Sequence, residues 1–170
     1  MNMYMKQKVF SWGDKFNIYD AEGSELYSVW GEVFSLGKKL HIEDMYGREL
    51  AYIRQKLVTF LPKFFISRDE HQVAEVVKKF TFLRHKYEIR GLEWVAEGNF
   101  WSHEFQIRSM DGHIVAEISK KWISWGDSYE ISVTQGEDAV NVLAVVLVID
   151  ACIQMENDAA SSSASASSSN

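Results

Sequence analysis

Residues 138–155 read DAVNVLAVVLVIDACIQM, and from Val142 to Ile149 the run is unbroken apolar sequence. A helix of about 16 residues here would be roughly 24 Å long. It would be apolar nearly all round, and such a helix is buried on every side. Asn141 and Asp150 interrupt the run, and a membrane span needs about 20 apolar residues. A core helix, not a transmembrane one, is therefore the expectation. Asp138 is placed as its N-cap, after the turn residues Gln135, Gly136 and Glu137. Val142–Ile149 is also rich in β-branched residues, so a thirteenth strand is the alternative that propensity leaves open. In either form, something must wrap this segment.

The preceding residues supply the wrapping as six copies of one unit. VFSWGDKFNI (9–18) aligns without gaps on VFSLGKKLHI (33–42), LVTFLPKFFI (57–66) and FTFLRHKYEI (80–89). GNFWSHEFQI (98–107) and WISWGDSYEI (122–131) complete the set. Every copy ends in isoleucine: Ile18, Ile42, Ile66, Ile89, Ile107 and Ile131. Two residues earlier stand Phe16, Leu40, Phe64, Tyr87, Phe105 and Tyr129. The second half of each unit alternates with period two, which is the pattern of a half-buried strand. Turn residues such as Ala21-Glu22-Gly23 and Met110-Asp111-Gly112 close the units. Two strands per unit predict about twelve antiparallel strands. A propeller blade needs about 40 residues, more than this repeat offers. A parallel β-helix would not reverse within each unit. A closed barrel removes exposed edges, and twelve strands leave a lumen that a helix can fill.

These residues carry a family resemblance. KQKVFSWGDKFNIYD, GEVFSLGKKLHI, QKLVTFLPKFFI, KKFTFLRHKYEI, KKWISWGDSYEI and AVVLVIDACI together resemble the LURP-one-related family, most closely its bacterial branch. The resemblance runs from Met1 to about Met155. It implies the tubby C-terminal-like fold, also inferred for phospholipid scramblases: a twelve-stranded barrel around a buried C-terminal helix. For function it implies little. Tubby-like domains bind phosphoinositides, plant members are linked to pathogen defence, and bacterial members have no agreed activity. No catalytic residue is carried over by it.

One domain over residues 1–156 is expected, followed by a disordered Ser/Ala-rich tail over 157–170. The chain has 46% hydrophobic and 14% aromatic residues, one proline and a net charge of −6. That charge argues against nucleic acid as a partner. The single cysteine, Cys152, lies in the apolar run and reads as a core thiol. With no secretory signal at the N-terminus, a cytoplasmic protein, at most peripheral to a membrane, is expected.

Candidate site residues are few. The twice-occurring SWGD (11–14 and 124–127) reads as turn chemistry, with glycine for the backbone, aspartate for turn hydrogen bonds and tryptophan for packing. The five histidines show no metal-ligand spacing, and no nucleophile, phosphate-loop or cofactor motif is present. No enzyme and no cofactor are expected. The lysines are more informative. The residue before the inward aromatic is Lys15, Lys39, Lys63 and Lys86 in four successive units, and Lys38 and Arg84 lie beside this level. In a barrel they fall on one arc of one rim, where anionic phospholipid head groups or another anion would bind. The expectation is thus a non-enzymatic binding module using Lys15, Lys38, Lys39, Lys63 and Lys86. A structural or regulatory protein-interaction module is the alternative.

Overall fold

A computed structural model of the chain describes residues 1–6, 15–80, 85–123 and 126–167, with the backbone alone at 80, 85, 122–123, 126–127 and 163–167. The strands are β1 (Asn2–Lys6), β2 (Lys15–Tyr19), β3 (Glu25–Gly31), β4 (Lys39–Glu43), β5 (Glu49–Gln55) and β6 (Lys63–Arg68). They continue as β7 (His71–Phe80), β8 (His85–Arg90), β9 (Trp94–Asn99), β10 (Glu104–Ser109), β11 (Ile114–Ile123) and β12 (Gly126–Val133). One helix, α1 (Ala139–Ser167), follows. Strands β2 to β12 form an up-and-down meander, and β1 closes the barrel between β12 and β2. Its pairing with β12 spans Asn2 to Lys6, whereas among the described residues the seam with β2 is the single pair Tyr4–Tyr19.

The repeat explains how the lumen is made. All six isoleucines face inward and are at most 1% exposed. The odd strands set small residues beside them: Ala51 opposite Ile42, Ala74 opposite Ile66, and Ala96 and Ala116 flanking Ile107. Large residues on one strand beside small ones on the next leave room for a guest without leaving voids. The guest is α1, whose residues Val142 to Ile149 are all fully buried. Each large side chain there contributes on the order of 1.5–3 kcal/mol of burial before entropy costs. A thirteenth strand is ruled out because the wall is already closed and offers no edge to pair with. Asp138 caps the helix as expected, accepting the Asn141 N–H at 2.9 Å, while Arg68 from the end of β6 binds its other oxygen.

One expectation needs correction. The helix does not stop near Met155; α1 continues to Ser167. Alanine is the best helix former, and extension of an existing helix escapes the nucleation cost. Ser161 and Ser162 also return hydroxyl hydrogen bonds of 2.8 Å to the carbonyls of Asn157 and Asp158. Residues 157–162 nonetheless remain exposed, as their composition requires. The segment Ala139–Ser162 is also long and apolar enough to cross a membrane, by length and composition. Of its most apolar window, 72% is buried inside the barrel.

Candidate functional site

Every even-numbered strand starts at the same end of the barrel, because the meander alternates direction. Lys15, Lys39 and Lys63 are the first residues of β2, β4 and β6, and Lys86 is the second of β8. Their neighbours Phe16, Leu40, Phe64 and Tyr87 point inward, so the lysines point outward. The topology thus brings four of the five sequence-selected lysines to one rim, and Lys38 joins them at the end of the β3–β4 loop. Arg84 and most of both SWGD copies lie outside the described residues, and the side chains of Gly126 and Asp127 do too.

The lysines of this basic rim differ in what they touch. Lys39 pairs with Glu32 at 2.8 Å, and that contact raises the lysine pKa and lowers that of the glutamate. Lys63 pairs with Glu75 at 3.0 Å, and Glu75, held low first by Lys63, also meets Arg90 at 3.2 Å. Lys38 is half-buried, and desolvation pushes its pKa down against the pull of Asp158. Lys15 and Lys86 have no ion-pair partner among the described residues. Lys86 lies at one end of a groove of about 480 Å³ on the outside of β8 and β9.

Helix α1 leaves the barrel through this same rim, and polar groups line its exit. Lys78 is 3% exposed and is bound to Glu156 of the helix. Tyr129 donates to Asp150, and the His103 ring stacks on Tyr129 with its Nε2 3.2 Å from Asp150. Burial, then the Asp150 charge, pushes the Tyr129 pKa up. Burial likewise raises the Cys152 thiol to about 12. A thiol so held stays protonated and is a poor nucleophile. These contacts fix the depth and rotation of the helix. No group of three or more potential metal ligands occurs among the described residues.

The sequence profile of the LURP-one-related family matches residues 1–150. The chain belongs to that family. It is 42% identical over 159 residues to the uncharacterized protein YxjI of Bacillus subtilis (strain 168), covering 93% of this chain and 97% of YxjI. It also resembles an X-ray structure of a protein from Arabidopsis thaliana, with a TM-score of 0.65 and 17% identity over 88% of each chain. At that identity the likeness speaks for the fold alone.

In this LURP-one-related chain the basic rim also carries side chains that sequence reading misjudged. The fourth position of the repeat is that of the SWGD tryptophans, whose residue type reads as packing. Leu36, Phe60 and Trp101 occupy it and are exposed; Trp12, Leu83 and Trp125 lie outside the described residues. Beside them Val33, Phe34, Leu57 and Val58 are exposed as well. The available signal was loop position: these residues precede the strand by several places, beyond the reach of the lumen.

Proposed function

We propose that this chain is a non-enzymatic binding module for an anionic surface of the phospholipid head-group class. One observation carries the reading: the two barrel ends have opposite balances of charge. Three successive even strands begin at lysine on one rim and the next, β8, has lysine as its second residue, whereas every hairpin turn of the other rim holds an acidic residue, among them Asp20, Asp44, Asp69, Glu93 and Asp111. A net charge of −6 thus hides a polarised molecule. Such a field orients the protein before contact and concentrates anions at one end. The non-enzymatic half of the reading is supported by Tyr129 and Lys78, interior polar groups that are bound to Asp150 and Glu156 of the helix. The second reading, a protein-interaction module, is favoured by the exposed apolar side chains of the loops.

The test is co-sedimentation with phosphatidylcholine vesicles, with and without phosphatidylserine, at low and high salt. Binding should require phosphatidylserine and weaken as salt shortens the screening length. Lys15→Glu with Lys86→Glu is the variant of choice, because Lys39 and Lys63 have carboxylate partners that reversal would set against like charge. At about 1 kcal/mol per lysine near the surface, losing two weakens binding by roughly thirtyfold. Wild-type protein that ignores anionic vesicles at low salt would end this reading.

A further inference from the structure

The two loops beside the basic arc display apolar side chains that the isolated protein has no reason to expose. Phe34 is 102% exposed, Leu36 86%, Val58 103% and Phe60 99%, values of an extended chain. They are not frayed ends. Lys38 donates its N–H to the Gln55 side-chain oxygen at 2.9 Å, and the Gln55 N–H returns to the Lys38 carbonyl at 2.8 Å. The Ser35 hydroxyl donates to the Gly37 carbonyl at 2.7 Å. A Cβ at Gly37 would lie 2.6 Å from Leu57 Cδ2, and its φ of +79° suits glycine alone. The β3–β4 and β5–β6 loops are thus braced against each other with their tips outward. Val58 adds strain, holding a φ of +56° that a β-branched residue rarely adopts.

The order of chemistry along these loops is apolar at the tip and cationic behind it. Lys38, Lys39, Lys56 and Lys63 stand at the loop bases. A bilayer with anionic lipid presents the complementary order, with phosphates outside and acyl chains beneath. We infer that the β3–β4 and β5–β6 loops insert Phe34, Leu36, Val58 and Phe60 below the phosphates of an anionic bilayer, with these lysines at phosphate level. The inference rests on the anionic-surface reading above and commits it to an intact bilayer, not a free phosphorylated molecule. Protruding side chains suit a deformable lipid surface, whereas a protein partner would need a matching pocket for each. Because α1 projects from the same rim, docking is tilted onto the β3–β6 side.

Phe34→Cys and Phe60→Cys, each carrying a polarity-sensitive nitrobenzoxadiazole label, report insertion; Tyr46→Cys on the opposite rim is the control. Cys152 stays in place, being buried and protonated. Phosphatidylserine-containing vesicles should brighten and blue-shift the labels at 34 and 60 and leave the label at 46 unchanged. Soluble head-group analogues should shift none of them. Phe34→Ser with Phe60→Ser should melt like wild type, still respond to phosphatidylserine at low salt, and bind at least about tenfold more weakly at physiological salt. Vesicle binding with all labels remaining water-exposed, or equal binding by the serine variant, overturns insertion and leaves the electrostatic reading standing. No vesicle binding by wild type overturns both. A dimer dissolved by the serine substitutions, without vesicle binding, assigns the loops to a protein contact and also overturns it.

Discussion

The two ends of the barrel are built from the same repeat and the same strands, yet they have opposite surface chemistry. At the acidic end the connections are tight turns satisfied within themselves. Asp44 accepts the N–H groups of Tyr46 and Arg48 at 2.9 and 3.0 Å, and these bonds, the Arg48 one foremost, hold its carboxyl below the usual range. The helix is capped there by Asp138, whose own charge is stabilised, against the effect of burial, by the Asn141 N–H and Arg68. At the basic end the β3–β4 and β5–β6 loops are longer and apolar at their tips, and the helix passes out through the same rim. One end closes the fold; the other presents it. A domain that needed only stability would finish both ends with the acidic end's turns.

The largest expected effect tests how firmly the helix joins the two ends. Val146, Leu147 and Ile149 are fully buried, and aspartate at any of them would set an unpaired charge in an apolar lumen. None of the three variants should fold, as judged by loss of a cooperative melting transition. Soluble, cooperative variants at all three would place the helix outside the barrel.

A smaller effect is expected where the helix exits. Glu156→Gln leaves the Lys78 ammonium buried without its carboxylate. Removing one partner of a buried pair costs about 3–5 kcal/mol. Glu156 is itself 31% exposed, so about 1–3 kcal/mol is the better expectation after solvent screening. Lys78→Met with Glu156→Gln should recover most of the loss in urea titrations. A single variant as stable as wild type would mean that water already serves Lys78.

Beyond the rim the helix should matter little. Deleting residues 159–170 should lower the far-ultraviolet helix signal while shifting stability by less than about 0.5 kcal/mol, the range of ordinary surface changes. A larger loss would show that the extension packs on the rim loops.

These expectations also mark what sequence could supply. The six isoleucines and the apolar run each repeat or persist in a way that only burial explains, so barrel and guest could be read together. The lysine level could be read for the same reason, since it keeps a fixed place in the repeat. Glu32 and Glu75 could not be matched to Lys39 and Lys63, because they come from a loop and an odd strand outside that register. The exposure of Phe34 and Phe60 was hidden too, because an apolar residue looks the same in a core and on a loop tip. The C-terminal end of the helix was placed too early because Ser/Ala composition lacks a core yet does not oppose a helix already started.

The smallest effect belongs to the acidic end and is a titration. His113 lies in the β10–β11 turn, with its Nδ1 2.8 Å from Asp111 and its Nε2 2.8 Å from Glu137, just before the helix cap. The two carboxylates, Glu137 first, raise its pKa above the ordinary 6.5. A group whose folded pKa is raised stabilises the fold by its protonation. That contribution is fully present below pH 6.5 and is lost as the pH climbs through the higher folded value. Both partners meet solvent, so the gain is small and salt-sensitive. Titration of the imidazole by NMR should give a midpoint above 6.5, and Glu137→Gln should move it down. The basic end should be indifferent to this proton: vesicle binding of wild type and His113→Gln should match across the same range. An unshifted midpoint would mean that this turn is not tied to the helix start. A binding change in His113→Gln would mean that the two ends are coupled through the helix.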